Sequence, residues 1–396
     1  MSGAASSAAS SAASAAEGVD PPRAGAGISR RDSPGDARAG EPSPTGPALT
    51  GHAPTGPAST GLALTGPAST GPALTGPEMT GPELTGPALT GPALTGPALT
   101  DLALARGAVD RSAYLRTNDA WLAQAWADPA TRVVVAEHGR ALCEIDDEPA
   151  GLLLVSPADA PDGVRFLLGV DELNTAYFGV AGPLSDPPGD GVRAVPLREA
   201  GPLLPDRDAG LMTEAVALAN WHETFTHCPR CGSPTDPFAS GHARRCPVDA
   251  SEHFPRVDPA MIVLVTDADD RALLARNAMW PERRVSVLAG FVEAGESAEQ
   301  AVAREVQEET GITVRAVTYL GSQPWPMPQS LMLGFRAAAT RTDITVDADE
   351  IAEAHWYSRA SLRAAIEGGE LRLPPPVSIA HRIIQSWYGS ELPGSW

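Results

Sequence analysis

The sequence predicts an α+β chain, and three observations predict it. Short apolar runs separated by Asp, Pro and Gly turns recur between residues 132 and 180, as in a small sheet-rich domain. Cys228, Cys231 and Cys246 cluster in one later segment, a pattern of metal ligands rather than of a disulfide scaffold. Beyond them, apolar strand patterns bracket one strongly acidic helix between Ser297 and Gly311. The chain therefore divides into a tail (1–100), a sheet-rich domain (101–207), a linker helix with a cysteine ribbon (208–253) and a C-terminal domain (254–396).

The elements follow in order. A Thr-Gly-Pro-x-x repeat runs from Thr45 to Thr100. Pro and Gly at that density block helix and ladder alike, so residues 1–100 are expected to be a disordered tail. Order is expected from Leu102. Residues 118–126 read as a helix. The runs 132–136, 141–145, 151–155, 165–170 and 175–180 read as strands, with Cys143 a packed apolar side chain. Leu211, Ala215, Leu218 and Trp221 recur at helical spacing, which predicts a helix over 208–224. Residues 260–266 read as an apolar strand paired with 271–276. Ser297 with Gln300 forms a capping box and Gly311 suits the C′ position. These signals place Glu305, Glu308 and Glu309 in the second half of the acidic helix. Strands at 313–320, 331–339 and 354–357 follow. A helix over 378–388 comes after the stop at Pro374, Pro375 and Pro376.

Composition excludes several classes. The net charge of −20 argues against broad electrostatic binding of nucleic acid. Every basic side chain is arginine, which excludes a Schiff-base lysine and a Walker-type phosphate lysine. No run is apolar and long enough to span a membrane. Residues 1–16 lack the basic and Leu-rich regions of a signal peptide. A cytoplasmic location without a membrane partner is the expectation.

Glu305, Glu308 and Glu309 stand at i, i+3 and i+4, so three carboxylates share one helical face. Like charges so close repel, and the cluster is expected to hold a hard cation such as Mg²⁺. Such an ion suits chemistry on phosphate oxygens. The plain alternative is a solvated face with Arg304 paired to Glu308, worth about 0.3–0.5 kcal/mol. The whole segment, however, fits Gly-x5-Glu-x7-Arg-Glu-apolar-x-Glu-Glu-x-Gly-apolar at Gly290, Glu296, Arg304, Glu305, Val306, Glu308, Glu309, Gly311 and Ile312.

That segment resembles the box of the Nudix hydrolases, whose members cleave a diphosphate linked to another moiety with Mg²⁺ or Mn²⁺. The resemblance implies a Nudix α/β/α sandwich with Glu305, Glu308 and Glu309 as metal ligands. Arg304 would hold a carboxylate in place, and Glu350 would be an extra ligand from outside the helix. One of the box glutamates, or Glu350, would act as general base.

Residues 322–330 read Ser-Gln-Pro-Trp-Pro-Met-Pro-Gln-Ser. A Trp between prolines is stiff and partly presented, suited to stacking on a flat ring. The segment resembles the SQPWPFPxS signature of the NADH pyrophosphatase branch, with Met327 in place of Phe. The resemblance implies that Phe254 and Phe291 sandwich the nicotinamide, with Phe254 reaching in from the second subunit of a homodimer. Ser330, Met332 and Ala380 would line the nucleotide pocket, and Trp325 would shape it. For each aromatic the plain alternative is core packing.

Cys228-x-x-Cys231 followed by Cys246 has the look of a zinc ribbon. The family pattern carries two Cys-x-x-Cys pairs, and here the second pair ends in Asp249. Asp249 and His253 are both candidates for the fourth ligand of a structural Zn²⁺, and loss of the metal is the third alternative. Three functions follow. The first is hydrolysis of NADH or NAD⁺ to NMN(H) and AMP, with the same cut removing NAD caps from RNA. The second is a broader ADP-linked pyrophosphatase of the ADP-ribose type, which the Trp325 segment disfavours. The third is a zinc-ribbon nucleic-acid binder with a dead Nudix domain, which the intact glutamates disfavour.

Overall fold

In the computed structural model, which describes residues 99–146 and 149–394, the chain runs through short strands and turns before its first long helix. The expected repeat tail lies, up to residue 98, outside the described residues. Placement begins slightly earlier than Leu102, because the Leu99 N–H donates to the Leu320 carbonyl at 2.6 Å.

Helix α1 (Asp119–Ala127) starts where the Asn118 side chain accepts the Trp121 N–H. Strands β1 (Arg132–Ala136), β2 (Arg140–Glu144), β3 (Gly151–Leu152), β4 (Val164–Val170), β5 (Ala176–Ala181) and β6 (Val192–Pro196) then form two sheets, β1-β5-β4 and β3-β2-β6. The expected strand at 151–155 survives only as β3. Leu152 pairs with Cys143 of β2, whereas Val155 bridges to Val133 of β1, so the chain switches sheets between them. A one-turn α2 (Leu197–Ala200) precedes α3 (Asp206–Thr224). The apolar face of α3, including Leu211, Ala215, Leu218 and Trp221, is buried as its spacing predicts.

The ribbon contributes β7 (Asp236–Phe238), β8 (Ala243–Arg245) and β9 (Glu252–His253) as a small antiparallel sheet. The C-terminal part comprises β10 (Asp258–Thr266), β11 (Ala272–Asn277), β12 (Leu288–Phe291), α4 (Ala298–Thr310), β13 (Val314–Trp325), β14 (Ser330–Ala339), β15 (Ile351–Tyr357), α5 (Arg359–Glu367) and α6 (Ile379–Tyr388). Its sheet has the order β13-β14-β10-β11-β15, with β12 added to β10. Strands β10 and β14 are parallel, and β12 is antiparallel to β10. The expected pairing of 260–266 with 271–276 is confined to Thr266 and Ala272, and β11 spends the rest of its length on β15.

The sheet is covered on both faces. Met261, Val263 and Val265 of β10 pack with Ala301, Val302 and Val306 of α4. Ala260, Ile262 and Leu264 join a second core with Ile379, Ile383 and Ile384 of α6. Alternate residues of one strand thus feed two layers, as an α/β/α sandwich requires.

Candidate active site

The acidic helix forms for the reasons its ends advertise. Ser297 Oγ accepts the Gln300 N–H at 3.2 Å, and Gln300 Oε1 accepts the Ser297 N–H at 2.8 Å. Helix α4 ends at Gly311, whose left-handed backbone (φ 67°) suits a residue without a Cβ. Its last turn contains no basic residue, yet the helix dipole places negative charge there. Glu308 and Glu309 at that end therefore weaken the helix, and their presence points to a job other than stability.

Glu305 and Glu309 are buried, and Glu308 is exposed. Glu305 Oε2 and Glu309 Oε2 have no hydrogen-bond partner. Burial pushes the Glu305 carboxyl up to about 7, against the pull of Arg304. Burial, then the neighbouring Glu305 and Glu350, raises Glu309 well above the usual carboxylate range. Buried carboxylate oxygens without donors, among further carboxylates, have the chemistry that a hard divalent cation would satisfy.

Two residues of the box hold this cluster in place. Gly290 of β12 lies against Glu305, and a Cβ there would overlap the carboxylate. Arg304 makes a two-pronged pair with Glu296 at 2.9 Å on each oxygen. It also lies 2.9 Å from Glu305 Oε1 and donates to Glu308 Oε2 at 3.0 Å and to the Phe291 carbonyl at 3.0 Å. One guanidinium therefore ties the box loop, the end of β12 and two of the acidic side chains together. The plain Arg304–Glu308 pair exists, but it is one contact among five.

Glu350 arrives from a distant segment. The C-terminal carbonyls of α4 need donors. Thr345 N–H donates to Thr310 O at 2.9 Å, and Asp347 N–H to Glu309 O at 3.2 Å. The chain then turns, with the Asp347 carbonyl accepting the Glu350 and Ile351 N–H groups at 3.2 and 2.8 Å. Ala278 N–H holds the Glu350 carbonyl at 2.7 Å. The same capping that finishes α4 thus brings a buried Glu350 within electrostatic reach of Glu305 and Glu309.

The residues expected around the nucleotide fall on the other face of the sheet. Phe291 pairs with Ala260, Ala260 with Met332, and Met332 with Gln323, one row across four strands. Met332 and Ala380 lie in the core against which the half-buried Phe291 packs, and Ser330 is also buried. Phe254 is 68% exposed and stands apart from that core. Trp325 departs from expectation. It is 2% exposed, at the end of β13, rather than presented on a loop. The prolines around it do not break the strand because β13 is the edge of the sheet, where a missing N–H is tolerated.

Gln323, which sequence reasoning passed over, is buried between the two halves of the chain. Its Oε1 accepts the Leu104 N–H at 3.3 Å and its Nε2 donates to the Val377 carbonyl at 2.9 Å. A polar residue alternating into an apolar strand was the available signal. In the ribbon, ligand atoms of Cys228, Cys231, Cys246 and Asp249 all lie within 4.8 Å of one another, and His253 is outside that group. Three sulfurs and an oxygen at that spacing fit a tetrahedral Zn²⁺. Among the described residues this is the one group so tightly gathered. The looser glutamates suit an ion that keeps water and phosphate oxygens in its shell.

Comparison with known proteins agrees with this geometry. The NUDIX domain matches residues 256–374, the NADH pyrophosphatase zinc ribbon domain residues 223–254, and the NADH pyrophosphatase-like rudimentary NUDIX domain residues 130–221. The NAD-capped RNA hydrolase NudC of Mycobacterium bovis is 42% identical over 302 residues, covering 71% of this chain and 93% of its own. The protein of the same name from Mycobacterium tuberculosis matches to the same extent. The NAD-capped RNA hydrolase NUDT12 of Macaca fascicularis is 39% identical over 196 residues, 46% of this chain and 42% of its own. Among solved structures, a NUDIX hydrolase from Nitrosomonas europaea is 18% identical, covers 42% of this chain and 95% of its own, and has a TM-score of 0.33. With the box geometry intact and the match to NudC running through all three segments, the chain belongs to the Nudix hydrolases, in the family of the NAD-capped RNA hydrolase NudC.

Proposed function

We propose that the chain hydrolyses the pyrophosphate of NADH and NAD⁺ to NMN(H) and AMP, and that the same cut removes NAD caps from RNA 5′ ends. The observation that carries this reading is the pair of buried, unpartnered carboxylate oxygens on Glu305, which lies beneath Gly290, and on Glu309, in a chain that covers 93% of an NAD-capped RNA hydrolase. Mg²⁺ or Mn²⁺, held by Glu305, Glu308, Glu309 and Glu350, would neutralise the pyrophosphate charge and acidify a water.

The protein's own part is positioning. Arg304 fixes the box loop against the carboxylates, so little rearrangement remains when substrate binds. Phe291 offers its ring to the nicotinamide at the end of β12. The exposed Phe254 is suited to close on that ring from the second subunit of a homodimer. Zn²⁺ in the ribbon has a structural role. Thiol ligands of this kind suit a reducing cytoplasm, and among the described residues no helix is long and apolar enough to cross a membrane.

Because Trp325 lies in the core, discrimination between NADH and ADP-ribose rests on Phe291 and Phe254. Chromatography of the products formed from NADH, ADP-ribose and NAD-capped RNA by one preparation with Mg²⁺ tests the reading. NMN(H) and AMP should appear with turnover roughly tenfold or more above that for ADP-ribose. Equal or faster cleavage of ADP-ribose would replace it with the broader ADP-linked pyrophosphatase. Strong RNA binding in EDTA without hydrolysis on adding Mg²⁺ would replace it with the nucleic-acid binder.

A further inference from the structure

The face of the C-terminal sheet that carries Phe291 also carries a cavity lined by neither Phe291 nor the box glutamates. Strand β15 follows directly on the buried Glu350 and sends Glu353, His355 and Tyr357 to one side, as alternate residues of a strand must. Arg276 of β11 stands opposite Glu353 in the ladder. With Arg283 and Glu370, these side chains line a cavity of about 320 Å³. Ala272 and Leu274, the strand partners of Tyr357 and His355, lie in the core against which Phe291 packs. Cavity and Phe291 therefore share one face of the sheet. Glu353 is three residues from Glu350, which keeps their Cα atoms within about 11 Å of each other.

The lining has the chemistry of a nucleotide site. The His355 side chain is 60% exposed and stands edge-on to Tyr357, with ring centroids 6.3 Å apart. An exposed imidazole beside a phenol ring is a surface on which a base can stack. Arg276 donates to Glu353 at 2.7 Å, and His355 Nε2 lies 3.6 Å from the other Glu353 oxygen. That carboxylate is thus balanced within the cavity wall. Glu370 is exposed and offers acceptors to the amino groups of a base. Arg283 is exposed as well. Its backbone takes φ 72°, uncommon for a residue with a Cβ, and the Arg372 N–H fixes it there by donating to its carbonyl at 2.7 Å. Its Nη1 donates to the Gly369 carbonyl at 3.3 Å. A guanidinium that gives one N–H to a carbonyl can still hold a phosphate oxygen.

We propose that this cavity binds the nucleotide that follows the cap in an NAD-capped RNA, with His355 and Tyr357 against its base and Arg283 on its phosphate. The site so assigned rests on the hydrolysis proposed above, and it takes the part of the substrate that free NADH lacks. Its volume, at the lower end for small-molecule sites, suits one nucleotide and not a longer stretch of chain. Its place beside Glu350 suits a group joined one step beyond the cleaved pyrophosphate. Arg276 is already paired with Glu353, so Arg283 is left as the phosphate contact. Stacking then carries more of the affinity than charge does, in keeping with a chain of net charge −20.

The test uses the full chain with Arg283→Ala and His355→Ala variants, each checked for folding by circular dichroism. Calorimetry gives Kd for AMP and for the 5′-phosphorylated dinucleotide that extends AMP by one nucleotide. Kinetics with Mg²⁺ give KM and kcat for NAD⁺ and for NAD⁺ extended by one nucleotide at the adenosine 3′-hydroxyl. The unaltered protein should bind the extended ligand roughly tenfold more tightly than AMP. Either variant should remove that gain and raise KM for the extended substrate roughly tenfold, with kcat and the NAD⁺ constants within about twofold of the unaltered values. Arg283→Ala should also lower the slope of log Kd against log salt concentration by about 0.7, the share of one phosphate on a single strand. If the unaltered protein binds AMP and its extension equally, or if neither variant narrows the difference, the cavity does not hold the following nucleotide. If the NAD⁺ constants shift as far as those of the extended substrate, the cavity holds part of the cap instead. An unaltered protein that hydrolyses neither substrate overturns the function proposed above, while the binding series, which needs no turnover, still decides the cavity.

Discussion

Glu309 shows what burying a carboxylate among other carboxylates costs a single residue. The side chain is buried, and its Oε2 has no donor. Burial and the neighbouring carboxylates hold its pKa, like that of Glu305 at about 7, above the ordinary carboxylate range. A folded-state pKa above the unfolded one means that the folded protein binds the proton more tightly. The resulting stability is present below the ordinary carboxylate range and is lost as pH rises through about 7. A divalent cation held by the ionised form, as proposed above, would reverse the loss, so its effect on Tm should be larger at pH 8 than at pH 6. Glu214, pushed up to about 7 by burial in α3, adds a slope of the same sign that metal does not relieve. His222 and His242, pushed down to about 4 by burial, titrate below this window. Glu309→Gln keeps the shape and removes the charge. It should abolish Mg²⁺-dependent AMP release, keep the fold, and flatten the metal-free decline of Tm between pH 6 and 8. Unchanged turnover would show that the metal site is misassigned. A metal-free Tm that is flat or rising in the unaltered protein would remove the electrostatic argument.

At the scale of elements, what was legible in the sequence is what local chemistry decides. Ser297, Gln300 and Gly311 set both ends of α4 through contacts a few residues apart, and the i, i+3, i+4 spacing then put the glutamates on one face. Strands of two to four residues, such as β12 and the ribbon strands, carry too few alternations for a period to be read. Gln323 was opaque because its partners, Leu104 and Val377, lie 219 and 54 residues away. Trp325 was misread for a related reason: whether a Trp is presented depends on what the strand packs against, and β13 turns this ring inward. On the function proposed above, any effect of this buried ring on substrate choice is expected to be indirect. Trp325→Ala should cost about 3–5 kcal/mol of stability, and Trp325→Phe much less. In both variants, assayed well below their Tm, the ratio of NADH to ADP-ribose turnover should stay within about threefold of the unaltered ratio. A tenfold change in that ratio with Trp325→Phe would show that the ring meets the substrate after all.

Over the whole molecule, the side of the C-terminal sheet that carries Phe291 and Met332 is finished by residues from the start of the described chain. One core runs from Leu102 and Leu104 through Leu211 and Ala215 of α3 to Ala260, Met332 and Ala380. Polar stitches follow the same path. Leu99 N–H is held by the Leu320 carbonyl at 2.6 Å, Arg382 pairs with Asp101 at 3.1 Å, and Asn220 Nδ2 donates to the Pro326 carbonyl at 2.8 Å. The row that carries Phe291 and Met332 ends at Gln323, whose Oε1 is satisfied by Leu104. Two truncations therefore separate the repeat from the fold. A chain beginning at Leu99 keeps every one of these contacts, and its NADH turnover and Tm should match those of the full chain. A chain beginning at Ala105 loses two buried leucines, on the order of 3–6 kcal/mol, and leaves Gln323 Oε1 buried without its donor. Its Tm should fall, and turnover should fall with it even though every box residue and every ribbon cysteine remains. Equal Tm values for the two truncations would show that residues 99–104 are dispensable to the core. A loss of turnover already in the chain beginning at Leu99 would show that the repeat takes part in catalysis.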